Sequence, residues 1–124
     1  MRRLSTKWFK KWAKKALLNR RDLMDAIGAL ERGQGAIDLG GRLYKMRLKR
    51  AHGGKSSGFR TIILFKADDR AIFLYGFGKN EKENIDKSEL RYLRKLGRDL
   101  LSLSPLGLER AISKRVLFDL EEPE

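Results

Sequence analysis

Between Arg42 and Lys66 the chain reads RLYKMRLKRAHGGKSSGFRTIILFK, with eight Lys or Arg residues and neither Asp nor Glu. Its opening alternates with a period of two. Tyr44, Met46 and Leu48 fall on one side, Lys45, Arg47 and Lys49 on the other, the pattern of a strand with one buried face. Same-face residues of a strand stand about 7 Å apart, comparable to the step between successive phosphates of an extended nucleic-acid strand. Cations at that spacing repel one another unless an anion sits among them. Repulsion and partial burial favour a lowered pKa for a lysine of the set. Such a lysine can act as general base on a ribose 2′-hydroxyl, while an arginine holds phosphate oxygens through two parallel hydrogen bonds. Fixed cations stabilise the charge that grows on the phosphorane-like transition state more than they stabilise the ground state. A mixed-sign solvated face is the ordinary fate of a basic stripe, but the run without an acid argues against it here.

Composition narrows the partners. The chain has 124 residues, a formal charge of +13 and 41% hydrophobic residues, enough to fold as one globular domain and basic enough to point to a polyanionic partner: nucleic acid, an anionic membrane surface or an acidic protein. Every charged residue before Asp22 is Lys or Arg, whereas the closing DLEEPE is acidic. With no cysteine, disulfides, thiolate nucleophiles and Cys-held zinc are excluded. His52 is the single histidine, which excludes chemistry that needs two and leaves a loop histidine in solvent. The adjacent acid pairs, Asp68-Asp69 and Glu121-Glu122, fall in a turn and in the tail rather than at converging strand ends. The expectation is therefore no metal and no cofactor. GGKSSG lacks the leading glycine of a phosphate loop and precedes a strand, not a helix. No apolar run is long enough for a membrane span or a signal peptide, so no membrane partner and a cytoplasmic location are expected.

The elements that must position these side chains follow from local pattern. Trp8, Phe9, Trp12, Ala13 and Ala16 recur at helical spacing within about Thr6 to Leu18, with lysines opposite; both tryptophans are assigned to the core. Asn19 caps a second helix, helped by Asp22, with Leu23, Met24, Ile27 and Leu30 inward and a stop near Gly33. Three strands follow, Arg42 to Arg50, Gly58 to Lys66 and Ala71 to Phe77, the last two joined by the tight turn KADDR. Asp86 and Glu89 open a third helix lined by Leu90, Leu93, Leu96 and Leu100. Ser104-Pro105 starts a short fourth helix, and RVLFDL reads as an edge strand. The predicted fold is α+β: an N-terminal helical hairpin (1–33) on a small antiparallel sheet (35–78), then a helix (86–103), then a short helix or strand and acidic tail (104–124), all in one domain.

The run from GGRLYKMRLKR through GKSSGFR to FGKNEKENID, followed by a leucine-rich helix, resembles the RelE/ParE superfamily of type II toxins, most closely the RelE branch also called HigB-like. The likeness spans nearly the whole chain, with GKSSGFR and FGKNEKENI its most specific parts. It implies a metal-free endoribonuclease that cuts messenger RNA on the ribosome, leaving a 2′,3′-cyclic phosphate and a 5′-hydroxyl. It also implies a cognate antitoxin, often of helix-turn-helix type. Carried over by position, Lys49 is the candidate base, with Arg47 or Lys45 on the phosphate. Arg60 is the transition-state arginine, and Lys79 serves the leaving 5′-oxygen. Lys45, Lys55 and Arg50 are backbone contacts to RNA. The late base-stacking tyrosine of some relatives has no counterpart after Tyr92, and Phe118 reads as core. A gyrase-inhibiting ParE-like toxin and a non-catalytic RNA-binding protein remain open alternatives.

Overall fold

The computed structural model describes residues 1–48, 58–82 and 84–122. In chain order these form β1 (Arg2–Thr6), α1 (Lys7–Lys15), α2 (Arg20–Glu31), β2 (Ala36–Gly40), β3 (Leu43–Leu48), β4 (Phe59–Lys66), β5 (Arg70–Gly78), α3 (Lys87–Ser102), α4 (Pro105–Ser113) and β6 (Leu117–Asp119). The α+β class stands, with four helices around a six-stranded sheet in the order β2-β3-β4-β5-β1-β6. Neighbouring strands are antiparallel except β1, which runs parallel to β5. No helix among the described residues is long and apolar enough to cross a membrane.

Local chemistry sets the helix starts. Asn19 Oδ1 accepts from the Asp22 amide and Asp22 Oδ2 from the Asn19 amide, both at 2.9 Å. Asp86 and Glu89 make the same reciprocal pair. Ser104 Oγ accepts from the Gly107 amide ahead of α4, whose first residue is proline. Each cap satisfies amides that the first turn would otherwise leave without partners. The expected hairpin turn lies at Lys66–Asp69, closed by the Asp69 amide on the Lys66 carbonyl at 3.1 Å.

Two cores flank the sheet. On one face Phe9, Ala13, Leu23, Ile27 and Leu30 of α1 and α2 pack on Met46, Leu48, Phe59, Ile63 and Phe73. On the other, Leu93, Leu100 and Leu108 of α3 and α4 pack on Leu4, Leu43, Ile62, Leu64, Ile72 and Leu74. With apolar layers on both sides, β4 and β5 are buried along nearly their whole length, which explains their continuous apolar runs.

The sheet is larger than the three strands and edge strand read from sequence. β1 has no strand signature in the sequence, because RRLST carries two cations and only one large apolar residue. Its strand conformation comes from pairing with β5, Leu4 opposite Ile72, and with β6 on its other side. Arg2 pairs with Asp119 and Glu109, and Arg3 with Glu31 and Glu121, so both cations are matched by acids from distant segments. RVLFDL supplies β6, at the sheet edge as expected.

A β-bulge shapes the upper half of β5. Ile63 stands opposite Phe73 but Ile62 stands opposite Tyr75, leaving Leu74 as the extra residue. Beyond a bulge the facing of side chains inverts. Tyr75 and Phe77 thereby lie on the α3 side, in register with Ile62 and Arg60, instead of following Phe73 toward α1.

Candidate active site on the open end of the sheet

Above the α3 packing the same face carries cations. Arg47 on β3 stands directly opposite Arg60 on β4, which stands opposite Phe77 on β5. One row below are Lys45, Ile62 and Tyr75. Arg47 is exposed, Arg60 and Lys45 are half-buried, and Phe77 is buried beneath them. A Cβ placed at Gly58 would lie 3.6 Å from Arg60 Nη1 and 3.7 Å from Arg47 Nε. Both guanidinium groups therefore approach Gly58, each within ordinary van der Waals contact of such a Cβ, while the Leu48 carbonyl oxygen at 3.2 Å is the tight neighbour there. Arg60 Nη1 also donates to the Phe59 carbonyl at 3.4 Å, and Lys45 Nζ donates to Asn84 Oδ1 at 3.2 Å.

Like charges directly opposite on neighbouring strands destabilise a sheet, and an acid between them is the usual remedy. Among the described residues no carboxylate forms an ion pair with Lys45, Arg47, Arg60 or Lys79. The ion-paired acids lie at the β1 edge, in the β4–β5 turn and on α3, while Glu81, exposed, lies beside Gly78. Arg47 and Lys79 are open to solvent.

Lys79 lies just past β5 and is exposed; its amide donates to the Gly58 carbonyl at 3.0 Å, which brings it to the same end of the sheet. Lys49, Arg50 and Lys55 fall outside the described residues, as does His52. The sequence-predicted set is thus partly assembled: Lys45, Arg47, Arg60 and Lys79 share one end and one face or rim.

Three residues that sequence reasoning missed complete the neighbourhood. Tyr75 Oη donates to Glu89 Oε2, and Lys82 Nζ donates both to that oxygen and, at 2.8 Å, to Tyr75 Oη. Lys82 Nζ also lies 5.2 Å from the Tyr75 ring centre and 5.5 Å from that of Phe77, within cation–π range. Burial, then the hydrogen bond to Glu89, raises the Tyr75 pKa. For Lys82 burial acts downward, but its bonds to Glu89 and Tyr75 outweigh it and the pKa is raised. The Lys82 ammonium holds the Glu89 pKa below its usual range. Lys82 is therefore a fixed cation, unsuited to act as a base. Glu89 signals only a helix cap in the sequence, Lys82 carries no signal of its own there, and the bulge that aims Tyr75 at them has no local signature.

Among the described residues these cations lie at the surface, Arg47 and Lys79 exposed and Lys45 and Arg60 half-buried. Two clefts lie elsewhere, one of about 370 Å³ lined by Arg2, Pro105 and Leu106, the other of about 1310 Å³ between α1 and the β6 segment. An open row of cations suits an extended polyanion better than a small molecule. Among the described residues no group of three or more His, Asp or Glu is arranged to hold a metal ion.

The family described as the RelE toxin of the RelE / RelB toxin-antitoxin system matches residues 1–120. The chain belongs to the RelE toxin family. No curated protein matches it in sequence. As a RelE toxin it is the toxic half of a toxin–antitoxin pair, and membership implies a cognate antitoxin. The RelE match covers every strand of the sheet that carries Arg47 and Arg60.

Proposed function

We propose that this RelE-family toxin is a ribosome-dependent messenger-RNA endoribonuclease that acts in the cytoplasm and stops translation. One observation carries the reading: Arg47 and Arg60 approach each other at the open end of the sheet, and among the described residues no acid forms an ion pair with either. The two guanidinium groups hold the non-bridging oxygens of the scissile phosphate. A base takes the proton of the ribose 2′-hydroxyl, the 2′-oxygen bonds to phosphorus, and the bond to the 5′-oxygen breaks. The products are a 2′,3′-cyclic phosphate and a 5′-hydroxyl, the latter after the leaving oxygen gains a proton. Lys49 is the proposed base and Lys79 the proposed donor or stabiliser at the leaving oxygen, with Lys45, Arg50 and Lys55 along the RNA backbone. Arg47 and Arg60 supply transition-state stabilisation because neither loses its charge. The antitoxin, proposed to be of helix-turn-helix type, masks this surface.

The test is end-group chemistry on translated messages after induction. Cyclic phosphate and 5′-hydroxyl ends, lost in Arg60→Ala, are expected; 3′-hydroxyl and 5′-phosphate ends overturn the mechanism. Growth arrest that persists in Arg60→Ala without message cleavage points instead to a gyrase-inhibiting toxin.

A further inference from the structure

Of the three aromatic rings on α1, Phe9 is buried, Trp12 is half-buried and Trp8 remains 49% exposed. Trp8 is nevertheless fixed in place. Its ring stacks on Tyr75 at 4.7 Å between centroids and 29° between planes, and lies nearly parallel to Trp12 at 6.4 Å and 10°. Tyr75 is itself held through its hydroxyl by Glu89 and Lys82. An apolar ring held by two neighbouring rings, with half its surface in water, is ordered before any ligand arrives, so binding there loses little entropy.

The location follows from the topology. β1 ends at Thr6, whose hydroxyl donates to the Leu74 carbonyl at 3.3 Å, and the chain turns into α1 at that point. The upper part of β5 has thus lost its β1 neighbour, and Trp8 stands at that edge. From Tyr75 the next ring is Phe77, 6.1 Å away, and Phe77 lies directly opposite Arg60. Lys7 and Lys11 flank Trp8 on α1, both exposed, and Lys82 borders the Tyr75 ring. An exposed ring with lysines near it in the chain and in space, on the same side of the sheet end as a row of cations, fits the way proteins hold single-stranded nucleic acid: bases stack, cations follow the backbone.

We propose that the outer face of Trp8 is a stacking platform for a nucleobase flanking the phosphodiester held by Arg47 and Arg60. The ligand class rests on the RNA-cleaving reading; the platform itself rests on Trp8, Tyr75 and their surroundings. Trp8 acts on binding and register of the strand, not on bond breaking.

The test measures fluorescence anisotropy of a short 2′-O-methyl oligoribonucleotide, which cannot be cleaved, with single abasic sites placed along it. Trp8→Ala is expected to weaken binding of the intact oligonucleotide about tenfold, and Trp8→Phe, which keeps a ring, only a few-fold. One abasic position should weaken the wild type equally and cost nothing further in Trp8→Ala, the non-additivity of a direct contact. Circular dichroism and melting of both variants show that the fold is intact, and Trp8→Phe carries the test if Trp8→Ala does not fold. Unchanged affinity in both variants, purely additive abasic effects, or no binding by the wild type overturns the proposal and leaves a partner protein's side chain as the occupant. The cleavage reading fails separately: Arg47→Ala that still cleaves, with the abasic signature intact, sinks the catalytic assignment and spares the platform.

Discussion

Arg47 and Arg60 face each other across β3 and β4 with no carboxylate among the described residues to separate them. Two cations in that register are kept at the expense of sheet stability. Function and stability should therefore part company at this pair. Arg47→Ala and Arg60→Ala are each expected to lower message cleavage by about 10²- to 10³-fold. Each should leave stability unchanged or raise it by about 0.2–1 kcal/mol, since a like-charge pair is relieved. Single-turnover cleavage on programmed ribosomes, beside urea denaturation, checks both halves. A variant that loses cleavage only because it melts earlier contradicts the assignment.

Arg70 should behave in the opposite way. It is 4% exposed, and its Nη1 donates to the Leu100 carbonyl in the last turns of α3 at 2.8 Å, with Asp69 beside its Nε at 3.4 Å. Arg70→Ala leaves that carbonyl unsatisfied in a buried place and is expected to cost about 1–3 kcal/mol. Cleavage measured well below the melting temperature should stay near wild type. Equal losses of cleavage in Arg70→Ala and Arg60→Ala, with stability intact in both, contradict this division of roles.

The Tyr75–Lys82–Glu89 cluster predicts a pH dependence. The Lys82 hydrogen bond lowers the folded-state pKa of Glu89 from its ordinary 4.5. The stability it contributes is fully present above that value and is lost as pH falls through the lowered folded one. Asp86, lowered chiefly by the Glu89 amide and then by Ser88, acts in the same direction. Tyr75 is raised above 10.0 by burial and Glu89, so its contribution is present below 10.0 and fades as pH rises beyond it. Thermal melts from neutral pH into the acid range should show a shallower decline for Glu89→Gln than for wild type. Parallel acid limbs in the two proteins refute the coupling.

Gly76 is required by Trp12. A Cβ there would collide with the indole, and the indole is wedged by an edge contact with Phe59. Gly76→Ala is expected to destabilise by about 1–3 kcal/mol through overpacking. Trp12→Leu in the same chain should recover part of that loss, measured as the urea midpoint. If the two substitutions simply add, the steric account is wrong.

Much of the fold was legible because it is local. Asn19 with Asp22, Asp86 with Glu89 and Ser104 before Pro105 announce helix starts through groups within three residues of each other. Alternation of Tyr44, Met46 and Leu48 against Lys45, Arg47 and Lys49 is a property of one backbone with period two, and it correctly separated the core face from the cationic one for the described positions. The core assignment of Trp8 held only in part. Its helical spacing was right, but a helix period does not say where the layer beneath it ends, and Trp8 overhangs the edge of β5.

By itself, then, the order of residues determined the helices, the central hairpin and the kind of charge available for chemistry, because these depend on neighbours along the chain. Only the tertiary structure decided that RRLST is a strand, that the Leu74 bulge turns Tyr75 and Phe77 toward Arg60, and that Lys82, Glu89 and Trp8 border the site. Those outcomes depend on register between distant segments, where a one-residue slip sends every side chain to the other face, and no short-range pattern encodes it.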